Sequence, residues 1–223
     1  MEAEAEARRI LLERQADSLA ATPLRDMAAW VAAGAALPAE VLRLAGFVAE
    51  TPRGDSWMAR AAFIAEWGFS IPCAEALRAI VPLSPLVEIG AGSGYWSAIL
   101  RAAGADIIAT DSSPGSDPGY RIKPSRHSHV EALGGMDAVM AYPKRNVFCS
   151  WPTRDDDWCA EASAAMQPGR YLALIGYEGG GNTGSAALFD LLENGFDLVA
   201  RVAIPQWPGM SDALTIHRRK TSN

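Results

Sequence analysis

Val87-Glu88-Ile89-Gly90-Ala91-Gly92-Ser93-Gly94-Tyr95-Trp96 is the stretch that decides the fold of this chain. A largely apolar run, Pro85 to Ile89, leads into three glycines at alternate positions, and a helix-forming run, Ser97 to Ala103, follows. A strand that turns sharply into a helix needs small residues at the turn, because a Cβ blocks both the turn and the close approach of a ligand. The helix then offers free N–H groups at its N-terminus. Spacing narrows the choice of ligand. A dinucleotide fingerprint, G-x-G-x-x-G, counted from Gly90 requires glycine where Tyr95 stands. The pattern present is E-x-G-x-G-x-G. One strand further on, Ala105-Asp106-Ile107-Ile108-Ala109-Thr110-Asp111 ends on an acid.

Glycine loop, helix, strand and terminal acid in this order resemble motif I and its following acidic residue in the class I S-adenosylmethionine (SAM) methyltransferases. The resemblance extends from Pro85 to Arg219. It implies that the loop of Gly90, Gly92 and Gly94 wraps the amino-acid and ribose parts of SAM, and that Asp111 holds the ribose hydroxyls. It also implies that Glu88 orients the loop or meets the SAM ammonium. Trp96 joins this cofactor set, since an aromatic face attracts a sulfonium cation. Phe69-Ser70-Ile71-Pro72 lies where family members close over the methionine end, so Ser70 is a candidate for the carboxylate; the segment also reads as a helix cap.

From Pro85 onward strands and helices alternate, the sign of a parallel sheet. Strands are expected at 86–90, 106–110, 129–133, 146–150, 170–176, 196–203 and 213–218, and helices near 94–103, 135–141, 156–166 and 184–194. The last two strands have no helix between them, only Ile204-Pro205-Gln206-Trp207-Pro208-Gly209, which suits an antiparallel hairpin. Residues before Pro85 read as helices alone, the last of them Ala74 to Ile80. The expected architecture is therefore α/β: a Rossmann-like, seven-stranded, mostly parallel sheet with a C-terminal antiparallel hairpin, preceded by a helical cap. The expected division is a cap or lid over 1–80 and a SAM-binding core over 81–223.

Composition bounds the function. With 49% hydrophobic and 21% charged residues in 223, the chain is an ordinary globule of one sizeable domain. A net charge of −6 and a single basic run, Arg218-Arg219-Lys220, do not suit a phosphate-tracking surface, so no nucleic-acid partner is expected. Cys73, Cys149 and Cys159 lack C-x-x-C spacing, and His127, His129 and His217 lack ligand spacing. No metal is expected, and reduced thiols in the cytoplasm are. The N-terminus lacks the order of a signal peptide, and no apolar run reaches the length of a membrane span. Oligomeric state is left open.

Two more segments border the expected ligand crevice at strand ends. Cys149-Ser150-Trp151-Pro152-Thr153 follows the fourth strand at the position of motif IV, where amino-methyltransferases of nucleic acid read Asp/Asn/Ser-Pro-Pro-aromatic. Trp151 interrupts that pattern, which argues against a nucleobase amine. Gly176-Tyr177-Glu178-Gly179-Gly180-Gly181-Asn182 follows the fifth. Ser150, Trp151 and Tyr177 are the candidates for the reacting end. Asp155-Asp156-Asp157 reads as a helix cap rather than a metal site. The resemblance leaves three outcomes open: methyl transfer from SAM to O or N of a small molecule, cyclisation of SAM alone to azetidine-2-carboxylic acid with release of methylthioadenosine, or SAM binding without turnover.

Overall fold

The computed structural model describes residues 60, 64, 68–113, 127–177, 181–207 and 209–221. The helices expected before Gly68 lie outside the described residues, apart from Arg60 and Ile64, which are both helical and buried. The elements are α1 (Ala74–Ile80), a short 3-10 turn (Val81–Leu83), β1 (Leu86–Ile89), α2 (Tyr95–Ala102), β2 (Ile107–Asp111) and β3 (Glu131–Ala132). Then follow α3 (Gly135–Ala141), β4 (Asn146–Ser150), α4 (Trp158–Ala164), β5 (Tyr171–Tyr177), α5 (Ala186–Gly195), β6 (Phe196–Ala203) and β7 (Asp212–Arg219).

The seven strands form one sheet in the order β3-β2-β1-β4-β5-β7-β6. β1 to β5 pair in parallel; β7 is antiparallel to both β5 and β6. The order reverses between β1 and β4, the place where sheets of this kind take a ligand at the carboxyl ends of their strands. The expected hairpin is β6–β7. Among the described elements β3 keeps two residues of the five expected, and the helix expected over 156–166 spans Trp158–Ala164.

Strand alternation sorts side chains into two cores. Leu86, Phe148, Ala173, Ile175, Leu214 and Ile216 face one side, where they pack with α1 and α2 residues such as Leu77, Ile80, Trp96 and Leu100. Val87, Ile89, Val147, Cys149, Leu172 and Leu174 face the other, against α3, α4 and α5 through Val139, Cys159 and Leu188. Both faces being covered explains why the central strands read as nearly continuous apolar runs. The same alternation puts the polar residues of these strands in a meaningful place. Glu88, Ser150, Tyr177 and Asp212 each stand on the parity of the first core, that of α1 and α2, at or next to the carboxyl-end rim.

Candidate active site

The glycine loop takes the shape that its residue types dictate. Gly90, Gly92 and Gly94 have φ of 69°, 51° and 74°. These are left-handed values that a Cβ disfavours. Gly94 caps α2, and a Cβ there would collide with the Ser128 side chain and lie 3.2 Å from the Ser128 carbonyl oxygen. The loop is tied to the next strand: Ala91 N–H donates to the Thr110 carbonyl at 3.0 Å, and Gly92 N–H donates to Asp111 Oδ2 at 3.0 Å. The other Asp111 oxygen accepts from Ser113 N–H at 2.9 Å. Asp111 remains half-buried, and its two oxygens keep lone pairs that these two bonds do not use.

Glu88 does not point at water. It is 2% exposed and accepts a hydrogen bond from Ser97 Oγ on α2. Burial pushes its carboxyl up to about 7, against the pull of the Ser97 hydrogen bonds and the Arg101 charge. Thr110 Oγ1 donates to the Glu88 carbonyl at 2.8 Å, so side chain and backbone are both held. Ser97 and Thr110 are supports that sequence reasoning missed; each is a small hydroxyl in an apolar element, unremarkable until the fold places it against the acid.

A strand ending in Glu88, a loop of left-handed glycines, Asp111 on the adjacent strand and the order 3-2-1-4-5-7-6 with strand seven reversed now stand together. This is the class I methyltransferase fold.

The rim holds a second group, built around β4 and β7. Ser70 Oγ and Ser150 Oγ lie 2.8 Å apart, and Trp96 Nε1–H donates to Ser70 Oγ at 3.0 Å. Tyr95 O–H donates to the Ser70 carbonyl. The fold thus brings three expected site residues, Ser70, Trp96 and Ser150, into one chain of hydrogen bonds. Ser70 and Trp96 are each 1% exposed, and Trp96 packs against Phe148, so both belong to the packed layer under this rim.

Trp151 follows β4 with φ of 62°, rare for a bulky residue and costing about 1–3 kcal/mol unless neighbours fix it. Three contacts fix it. Its N–H donates to the Ile175 carbonyl at 2.8 Å, its Nε1–H donates to Asp212 Oδ2 at 3.1 Å, and its ring stacks on Phe69 at 5.2 Å. The Arg60 guanidinium sits 4.8 Å from the Trp151 ring centroid. Tyr177 ends β5 in register with Asp212, and its N–H donates to Thr183 Oγ1 at 2.8 Å. Glu178, Gly179 and Gly180 lie outside the described residues.

Asp212 is the residue that sequence reasoning missed. It is the first residue of β7 and 1% exposed, and its Oδ1 is buried with no hydrogen-bond partner among the described residues. Gln206 Nε2 donates to its carbonyl at 2.9 Å. Burial raises its carboxyl above the usual range, opposed by the Trp151 hydrogen bond and the Arg60 charge. No local signal marks it: a single acid before an apolar strand becomes a rim residue only because that strand runs backwards.

Elsewhere the expectations divide. Asp156 Oδ1, not Asp157, accepts from Trp158 N–H at the start of α4, at 3.2 Å. All three cysteines are free and buried. Among the described residues no group of three or more His, Cys, Asp or Glu could hold a metal, and no helix is long and apolar enough to cross a membrane. His127 and His129 stand beside the glycine loop, half-buried and exposed respectively, whereas His217 faces α5.

No protein-family model matches this chain, and no curated protein matches it. Solved structures resemble it distantly. The Burkholderia thailandensis 1,6-didemethyltoxoflavin-N1-methyltransferase, with its substrate and S-adenosylhomocysteine bound, is 17% identical over 82% of this chain and 89% of that one, with a TM-score of 0.45. Magnesium protoporphyrin IX methyltransferase from Synechocystis PCC 6803, with bound SAM, is 16% identical over 65% and 74%, at 0.43. An rRNA methylase from Streptococcus thermophilus is 17% identical over 66% and 93%, at 0.40. Likeness of this extent transfers no activity.

Proposed function

We propose that this chain binds SAM at the Glu88–Gly94 loop and Asp111 and catalyses methyl transfer from it to an oxygen or nitrogen of a small molecule. The observation that carries the reading is the loop itself: three left-handed glycines fixed to Asp111, with a buried acid beneath them. A Cβ at Gly90 would strike the Trp158 ring and one at Gly94 the Ser128 side chain, so glycine is what lets the loop hold this shape. The loop N–H groups and Asp111 would hold the ribose, and Glu88 with the start of α2 would hold the amino-acid end. SAM supplies a methyl group on a positively charged sulfur, so the chain has to place, align and shield the reacting atoms. Ser150, Trp151 and Tyr177 line the rim where an acceptor would lie. We read residues 1–80 as a cap over this rim and 81–223 as the core, acting in the cytoplasm on a small acceptor without metal or nucleic acid.

Calorimetry with SAM, followed by mass spectrometry, tests this. Saturable SAM binding, and S-adenosylhomocysteine formed once a panel of phenols, carboxylates and amines is added, are the expected results. Methylthioadenosine with azetidine-2-carboxylic acid from SAM alone would instead establish cyclisation. Absence of SAM binding would overturn the reading altogether.

A further inference from the structure

We propose that Asp212 takes the proton of the attacking nucleophile, through the Oδ1 atom to which no described residue donates, and that the nucleophile is therefore an N–H or O–H group. The inference rests on the reading of the neighbouring loop as a SAM site.

A buried acceptor without a donor is costly, and folded chains rarely retain one without a use. The two oxygens of Asp212 are treated differently. Trp151 Nε1–H holds Oδ2 at 3.1 Å, which fixes the plane of the carboxylate, while Oδ1 is left bare. Trp151 is held in turn by the Ile175 carbonyl and by Phe69, so the pair is rigid. Gln206 fixes the backbone at the same point. The place is also right. Asp212 stands opposite Tyr177 at the end of β5, and Trp151 directly follows β4, the strand next to β1, so both are on the sheet edge from which the glycine loop leaves.

The titration supports the geometry. Burial is the largest influence on Asp212 and raises its carboxyl, which makes it a better base than a solvated aspartate. The charged groups acting on it are few: Arg60 opposes the rise, and the Trp151 indole does the same by hydrogen bond. The step balances. The nucleophile's lone pair forms the new bond to the methyl carbon, the C–S pair departs with sulfur, and the proton on the nucleophile passes to Oδ1. A carboxylate and a sulfonium become a carboxylic acid and a neutral thioether, so opposite charges are removed together from a site closed to water. Oδ1 is closed to solvent, so a nucleophile reaches it only when the residues over it move aside.

Two ligands test this without knowledge of the acceptor. S-adenosylhomocysteine lacks the methyl group; sinefungin carries an amine where SAM carries its S-methyl group. If Oδ1 faces the reacting carbon, that amine meets it in a charge-assisted hydrogen bond. Calorimetric titration of the wild-type chain should show sinefungin binding about tenfold or more tighter than S-adenosylhomocysteine. Asp212→Asn should abolish most of that preference while leaving the affinity for S-adenosylhomocysteine within about twofold. A preference that is absent in the wild type, or equal in both proteins, overturns the inference and leaves Asp212 as a support for Trp151. A wild-type chain that binds neither ligand is a different outcome: it removes the SAM reading and the inference with it. Should Asp212→Asn fail to fold, as judged by near-ultraviolet circular dichroism, Asp212→Ser goes through the same titrations with the same interpretation.

Discussion

Replacing Glu88 by glutamine should stabilise the ligand-free protein at alkaline pH and not at acid pH. The carboxyl titrates at about 7 in the folded chain, against 4.5 for an unburied one. Folding therefore takes up a proton between these values. The contribution of the protonated group is complete below 4.5, falls as pH rises toward 7 and is lost above it. The full difference is worth about 3 kcal/mol. Between pH 5 and pH 8 the part that changes is about 2.5 kcal/mol, because the unfolded chain is already mostly ionised at pH 5. Glutamine has nearly the same shape, keeps an acceptor for Ser97 Oγ and does not titrate. Urea unfolding at pH 5 and pH 8 measures the effect. The wild type should lose about 2.5 kcal/mol more than Glu88→Gln over that interval, and the variant should be the more stable protein at pH 8. Equal losses in the two proteins would refute the account of Glu88 as an acid held buried at a cost. The same variant should bind SAM at least about tenfold more weakly if Glu88 has the ligand-side role proposed for it, because the charge that destabilises the free chain is then the one that serves the ligand.

Asp111→Ala removes the acceptor of Gly92 N–H together with the proposed ribose ligand, so SAM affinity by calorimetry should fall by about two orders of magnitude; near-unchanged affinity would remove Asp111 from the site. Gly94→Ala forces a Cβ against Ser128 at φ of 74° and should cost about 1–3 kcal/mol in urea unfolding; wild-type stability would mean that the α2 cap relaxes freely.

Most of the sheet was legible in the sequence, for a physical reason. Strands buried on both faces leave runs such as Val147-Phe148-Cys149, and the turns between them carry Gly and Pro, so Asn146–Ser150 and Phe196–Ala203 begin and end where the pattern says. The glycine loop was legible because its backbone shape demands glycine. β3 was not: only two residues pair, too few to leave a period. The 3-10 turn Val81–Leu83 is likewise too short to show one. The reacting end was read in part. Ser150 and Trp151 announce themselves by following a strand, and Tyr177 does the same. Asp212 and Arg60 do not, because their meaning comes from Trp151, a neighbour in space and far away in sequence. Ser70 was ambiguous for the same reason until its hydroxyl was found against Ser150.

The reversal of β7 has a consequence for the order in which the protein is made. A parallel strand brings its last residue to the rim, but β7 brings its first, Asp212. During synthesis the glycine loop, Asp111 and the Ser150–Trp151 corner all leave the ribosome well before this carboxylate exists. β5 must meanwhile wait as an open edge, with its backbone groups unpaired on one side. The act that seals this edge is also the one that delivers Asp212 to Trp151. A growing chain can thus assemble its glycine-loop half early and yet cannot complete the rim until the sheet itself is closed.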